Sequence, residues 1–139
     1  DIPIPKPGKN ESLVKVIYSN ICSTDKEILR GYIPDFKGVM GHEFSGIVES
    51  SSDPTLIGKE VVGEINEGCL NCLYCSKGLE KHCPYRKTIG IVGKDGCFAQ
   101  YLCIATHCLH VLPKNLTLKE AVFCEPLAAA LHKSTYPLK

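Results

Sequence analysis

No apolar run long enough to span a bilayer occurs in the 139-residue sequence; the longest candidate, residues 121–131, is interrupted by Glu125-Pro126. A secretory leader is missing, and Asp1 stands where an initiator methionine would be, so the natural start is left open. Neither sign of charge is in excess, with 16 Lys+Arg against 15 Asp+Glu, and no basic stripe is present to track nucleic acid or an anionic membrane. Internal repeats and low-complexity tracts are absent. So is the Gly-x-Gly-x-x-Gly turn of a dinucleotide site: Gly90, Gly93 and Gly96 have the wrong spacing, and no helical pattern follows them. A soluble, cytoplasmic protein is expected, with no nucleic-acid or membrane partner and no nucleotide-binding unit of its own.

What remains is globular in composition, 44% hydrophobic and 22% charged, and amounts to one domain's worth of chain. Nine cysteines are an odd number for a disulfide framework. Cys22, Cys97, Cys103, Cys108 and Cys124 are scattered singly through apolar segments, where a free thiol serves as a small buried hydrophobe. That usage suits a reducing compartment.

The other four, Cys69, Cys72, Cys75 and Cys83, form the run C-x2-C-x2-C-x7-C. Cysteines two residues apart can wrap one metal from a tight turn, whereas a disulfide between such neighbours is strained and closes almost no loop. The spacing predicts a closed, structural four-thiolate zinc site with no position left for substrate. Lys77, Lys81, Arg86 and Lys87 flank it and offset part of its negative charge.

Along the chain, residues 1–9 are too rich in proline for a helix and read as an extended edge segment. Residues 12–20 predict a strand and residues 26–30 a short helix stopped by Gly31. Cys22 lies at that junction, where a helix N-terminus favours thiolate. A loop over 31–41 delivers Gly41-His42-Glu43, with a strand over 47–49. The histidine suits metal or acid-base work as well as a structural role. Strands are predicted at 60–65, 88–92, 97–104 and 108–112, with a turn at 93–96. Thr117 and Glu120 form a capping box; Pro126 is expected to break or kink the helix it opens, and 127–132 reads as helical again before fading into 134–137. Many short strands punctuated by Gly and Pro predict a mostly β, barrel-like or sandwich-like domain.

Five motifs in order, Cys22-Ser23-Thr24-Asp25, Gly41-His42-Glu43, the four-cysteine run, Gly96-Cys97-Phe98-Ala99-Gln100-Tyr101 and Glu125-Pro126-Leu127, resemble the zinc-containing medium-chain alcohol and polyol dehydrogenases, in particular the sorbitol-like branch. The resemblance covers nearly the whole chain. It implies a GroES-like catalytic domain over residues 1–125, and at 126–139 the start of a helical connection to a Rossmann domain that is absent here. It implies one structural zinc on Cys69, Cys72, Cys75 and Cys83, and one catalytic zinc on Cys22, His42 and either Glu43 or Glu125. Adjacent residues of an extended chain point apart, so Glu43 needs a local bend to share a metal with His42. Thr24 matches the hydroxyl that passes the substrate proton, and Asp25 an acid that orients His42. Both could equally cap the short helix.

The sequence departs from the family at Glu27 and its neighbours, which offer no histidine to finish a proton relay, and at Cys97 and Gln100, which replace Gly and Glu and are expected to touch no ligand. The implied activity is hydride transfer between a small alcohol or polyol and NAD or NADP, available only with the Rossmann domain, of the same or another chain, in a possible homo-oligomer. The alternative is a stand-alone zinc-stabilised binding module without redox chemistry.

Overall fold

The computed structural model of the chain describes residues 2–134. Residues 2–8 belong to no strand, so the expected edge segment does not join a sheet there. The ladder begins with β1 (Glu11–Asn20), rich in the β-branched and aromatic residues that fit a pleated chain. Then come α1 (Ser23–Leu29), β2 (Glu43–Ser51), β3 (Glu60–Gly63), β4 (Asn66–Glu67), β5 (Lys87–Ile89), β6 (Gly93–Lys94), β7 (Tyr101–Ala105), β8 (Leu109–Val111), α2 (Leu118–Ala121) and α3 (Cys124–Ser134). The mostly β reading holds. Residues 135–139, the end of the expected helical connection, lie outside the described residues.

One sheet is antiparallel and runs β7-β1-β2-β3-β8; a second, small one runs β4-β5-β6. Val14 of β1 pairs with Val48 on one side and Leu102 on the other, and these three join Phe44, Val61, Ile89 and Ile104 in the core. Each such side chain, fully buried, contributes about 1.5–3 kcal/mol of transfer free energy. β2 departs from simple alternation, because Glu43, Phe44, Ser45 and Gly46 are all buried. Its second face is covered by α2, where the Ser45 hydroxyl donates to the Leu118 carbonyl at 2.6 Å. The start of β2 is thus enclosed on both sides.

Three expectations are corrected. The turn placed at 93–96 lies at Gly90 and Ile91, and Gly93-Lys94 pairs in parallel with Thr88-Ile89: Gly90 and Gly93, both at positive φ, bound a tight loop that brings the chain back alongside itself running in the same direction. The strand expected from Cys97 starts at Tyr101, since the backbone N–H groups of Gly96, Cys97 and Phe98 are committed to the carbonyls of Val39, Gly41 and Met40. Pro126 does not interrupt a helix. It is the third residue of α3, where a missing N–H costs no intrahelical bond, and the break falls at Val122 and Phe123 instead.

Lys94 ties the two sheets together. Its ammonium, 9% exposed, reaches Glu11 Oε1 at 2.5 Å and Glu67 Oε2 at 2.8 Å, and Glu67 Oε1 accepts from the Ala105 N–H at 2.7 Å. Burial disfavours the Glu11 carboxylate, but the Lys94 ammonium and the Gly8 N–H outweigh it and hold its pKa below the usual 4.5. Lys94→Met is expected to leave two carboxylates facing each other and to lower stability by about 3 kcal/mol, read as the urea midpoint. Because the Glu11 pKa is depressed on folding, its contribution is present above about pH 4.5 and is lost as pH falls through the folded value; the gap between wild type and variant should close in that acid range.

Candidate metal centres

The four-cysteine run folds back on itself through two 3-10 turns, Cys75–Lys77 and Glu80–His82, separated by Gly78 in the left-handed region. All four sulfurs lie within 4.8 Å of one another. Cys72 Sγ stands 3.6 Å from Cys75 Sγ and 3.7 Å from Cys83 Sγ. A tetrahedron with zinc–sulfur bonds of about 2.3 Å has edges of about 3.8 Å. A disulfide would need about 2.05 Å, and all nine cysteines are free. Gly68 passes so near that a Cβ there would sit 2.9 Å from Glu80 Cβ and 3.0 Å from Cys75 Sγ. Burial pushes the Cys75 thiol up to about 12. At Cys83 burial is outweighed by the N–H groups of Cys69 and Tyr85, and the thiol falls to about 7. The cluster fits a structural zinc: closed, sulfur-only and correctly spaced.

The second group is assembled from distant parts of the chain. Register pairs Asn20, at the end of β1, with Glu43, at the start of β2, so Cys22 emerges beside His42 and Glu43. Ligand atoms of Cys22, His42 and Glu43 lie within 4.8 Å of one another. His42 and Glu43 are buried, with Cys22 half-buried. A thiolate, an imidazole and a carboxylate are the mixed donor set of a zinc site that keeps a position open.

Asp25 supports this group from behind. One carboxylate oxygen accepts the Cys22 N–H at 2.8 Å, and the other stands 3.5 Å from His42 Nδ1. Those two facing atoms, Asp25 Oδ1 and His42 Nδ1, are buried and have no hydrogen-bond partner among the described residues. An Nδ1–H aimed at the carboxylate leaves Nε2 as the free donor atom of the ring. The residues present therefore fit a metal. Thr24, half-buried, has its hydroxyl 3.7 Å from Cys22 Sγ.

Glu125, the second residue of α3, stands outside the three-residue group but within its field: burial raises its pKa, His42 pulls it down and Glu43 pushes it up. Cys124 joins no such group among the described residues. Cys103 and Cys108 have thiols pushed up chiefly by burial, Cys108 to about 12, as packing cysteines do. Cys97, expected to touch no ligand, has its thiol 3.5 Å from the backbone carbonyl oxygen of Glu43, not from that residue's carboxylate. A single cysteine in an apolar strand carries no signal of such a contact, which joins residues 54 apart in sequence.

Comparison with known proteins bears on the family and the fold. The alcohol dehydrogenase GroES-like domain family matches residues 8–114. Sorbitol dehydrogenase of Halalkalibacterium halodurans is 37% identical over 94% of this chain and 39% of its own length. D-arabitol-phosphate dehydrogenase of Enterococcus avium is 33% identical over 95% of this chain and 39% of its own. Among solved structures, a candidate zinc-binding dehydrogenase from Sinorhizobium meliloti 1021 bound to NADP superposes with a TM-score of 0.85, at 36% identity over 96% of this chain and 40% of that one. Galactitol-1-phosphate dehydrogenase from Escherichia coli also gives 0.85, at 28% identity over 95% of this chain and 39% of that one. The chain thus spans about two fifths of the length of these relatives. The expected fold, a mostly β GroES-like domain with short helices and a cysteine lobe, is borne out. This chain belongs to the zinc-containing medium-chain dehydrogenases, through their alcohol dehydrogenase GroES-like domain.

Proposed function

We propose that the chain is the zinc-binding catalytic domain of an alcohol or polyol dehydrogenase, in which hydride passes between a small alcohol and the nicotinamide of NAD or NADP. The observation that carries this reading is the buried group of Cys22, His42 and Glu43, backed by the unpartnered pair Asp25 Oδ1 and His42 Nδ1. Catalytic zinc, when bound, supplies a Lewis acid that makes an alcohol proton easier to lose. Cys22, His42 and Glu43 would hold it, and the three-residue group favours Glu43 over Glu125 as third ligand.

The remaining roles fall to this chain's side chains. Asp25 anchors the Cys22 backbone N–H and faces His42 Nδ1 at 3.5 Å, where a small closure on metal binding would let it take the Nδ1–H and keep the ring in the ligating tautomer. Thr24, beside Cys22 and half-buried, would take the alcohol proton on Oγ1 as its own hydroxyl proton leaves to solvent water. Burial of His42 and Glu43 keeps bulk water from their own donor atoms. Cys69, Cys72, Cys75 and Cys83 hold the structural zinc and take no part in chemistry.

The nicotinamide is held by a Rossmann unit of the same or another chain, since these 139 residues carry no Gly-x-Gly-x-x-Gly turn. A cytoplasmic setting goes with nine free cysteines; no helix among the described residues is long and apolar enough to cross a membrane.

Elemental analysis of chain purified without chelator is expected to give two zincs, one for each ligand group, falling to one in Cys22→Ser. Cys75→Ser should remove the structural zinc and unfold its lobe, seen as proteolytic cleavage within residues 69–83. Asp25→Asn should weaken the second metal about 10–100-fold in a chelator competition while leaving the four-thiolate metal in place. Supplied with NAD and an alcohol, the isolated 139 residues should show no saturable turnover. Metal content unaffected by Cys22→Ser, or turnover by the isolated chain, would overturn the corresponding part of the proposal.

A further inference from the structure

His42 and Glu43 are neighbours, and neighbours on an extended strand send their side chains to opposite faces. Here both reach one group of ligand atoms. His42 lies just ahead of the first strand residue, Glu43, and Gly41 before it takes a φ of +92° in the left-handed region, so the chain turns sharply into the pair rather than running extended through it.

The backbone at this bend is gripped from the other side of the fold. The N–H groups of Gly96, Cys97 and Phe98 donate to the carbonyls of Val39, Gly41 and Met40 at 2.7, 2.9 and 2.9 Å. The Cys97 thiol reaches the Glu43 carbonyl at 3.5 Å. Close packing completes the grip. A Cβ on Gly96 would stand 2.1 Å from the Gly41 oxygen, and one on Gly90 would stand 2.2 Å from it. The Phe98 ring covers Gly41 so closely that a Cβ on Gly41 would lie 2.4 Å from its Cδ1.

Phe98 is 36% exposed, more than core filling requires. We infer that residues 96–98 form a clamp on residues 39–43 and that Phe98 and Cys97 are positioning residues which aim His42 and Glu43 at one metal. Phe98 packs its ring on the Gly41 bend, and Cys97 fixes the backbone carbonyl of Glu43, the third ligand. Neither touches substrate or metal. This inference rests on the catalytic-metal reading, deepens it, and places the control of that site on a segment that supplies none of its ligands.

The test loads the 139-residue chain with cobalt(II) and reads its visible absorption bands, which report ligand geometry independently of activity. The unaltered chain should take up one cobalt in the four-thiolate lobe and one in the Cys22 group, and Cys22→Ser should abolish the second signal alone. Phe98→Ala should keep the four-thiolate spectrum unchanged, bind the second cobalt on the order of ten-fold more weakly and shift its bands. Phe98→Tyr, which restores the ring, should return both affinity and spectrum. A Phe98→Ala chain that binds the second cobalt with unaltered affinity and bands would overturn the clamp and leave the metal site standing. An unaltered chain with a single cobalt, indifferent to Cys22→Ser, would overturn the metal reading and the clamp with it. Should circular dichroism show Phe98→Ala unfolded, Phe98→Leu carries the same measurement, since it keeps apolar bulk and removes the flat ring face.

Discussion

The pairing of β1 with β2 determines where the mixed ligand group can form. Asn20 sits opposite Glu43, and that register sets Cys22, two residues beyond Asn20, against His42 and Glu43. A slip by one residue would exchange the faces of the whole strand and send the buried set outward. The register is secured by core contacts: Val14 and Val48 are paired and wholly enclosed, and β2 is covered on its second face by α2. Two irregularities in the β1–β2 ladder, between Leu13 and Val14 and between Val16 and Tyr18, adjust the pairing before the strand reaches the site.

The two ligand groups differ in how they depend on the fold. The four thiols come from residues 69–83, and 3-10 turns with a left-handed Gly78 bring them together locally. Metal binding supplies much of the energy for such a loop. The other group spans a strand end, a helix start and the bend before β2, so it exists only once the large sheet has formed. Lys94 joins the two regions. Its contacts with Glu11 and Glu67 hold the small sheet, which flanks the cysteine lobe in sequence, against the start of β1 and, through Glu67, against β7.

Much of the architecture could be read from local pattern. Residues 12–20 and 60–65 are rich in β-formers, and the Thr117-Glu120 capping box appears with both of its reciprocal hydrogen bonds. Where reading failed, the deciding partner was remote. Gly93-Lys94 looks like a turn until parallel pairing with Thr88-Ile89 and the carboxylates of Glu11 and Glu67 are known. Residues 97–100 look like strand, but their N-terminal part is spent on the 39–41 backbone.

The sequence by itself determined the donor types and the spacing that makes the four-cysteine loop a metal site, because that chemistry is contained within fifteen consecutive residues. It also placed Cys22, His42, Glu43 and Glu125 among the candidates, through motifs in a recognisable order. Only the tertiary structure decided which of them lie together. How His42 and Glu43 approach Cys22 depends on the left-handed turn at Gly41, which is packed against Gly90, Gly96 and Phe98, about fifty residues away in sequence. A left-handed bend held by remote packing leaves no periodicity in the chain that carries it.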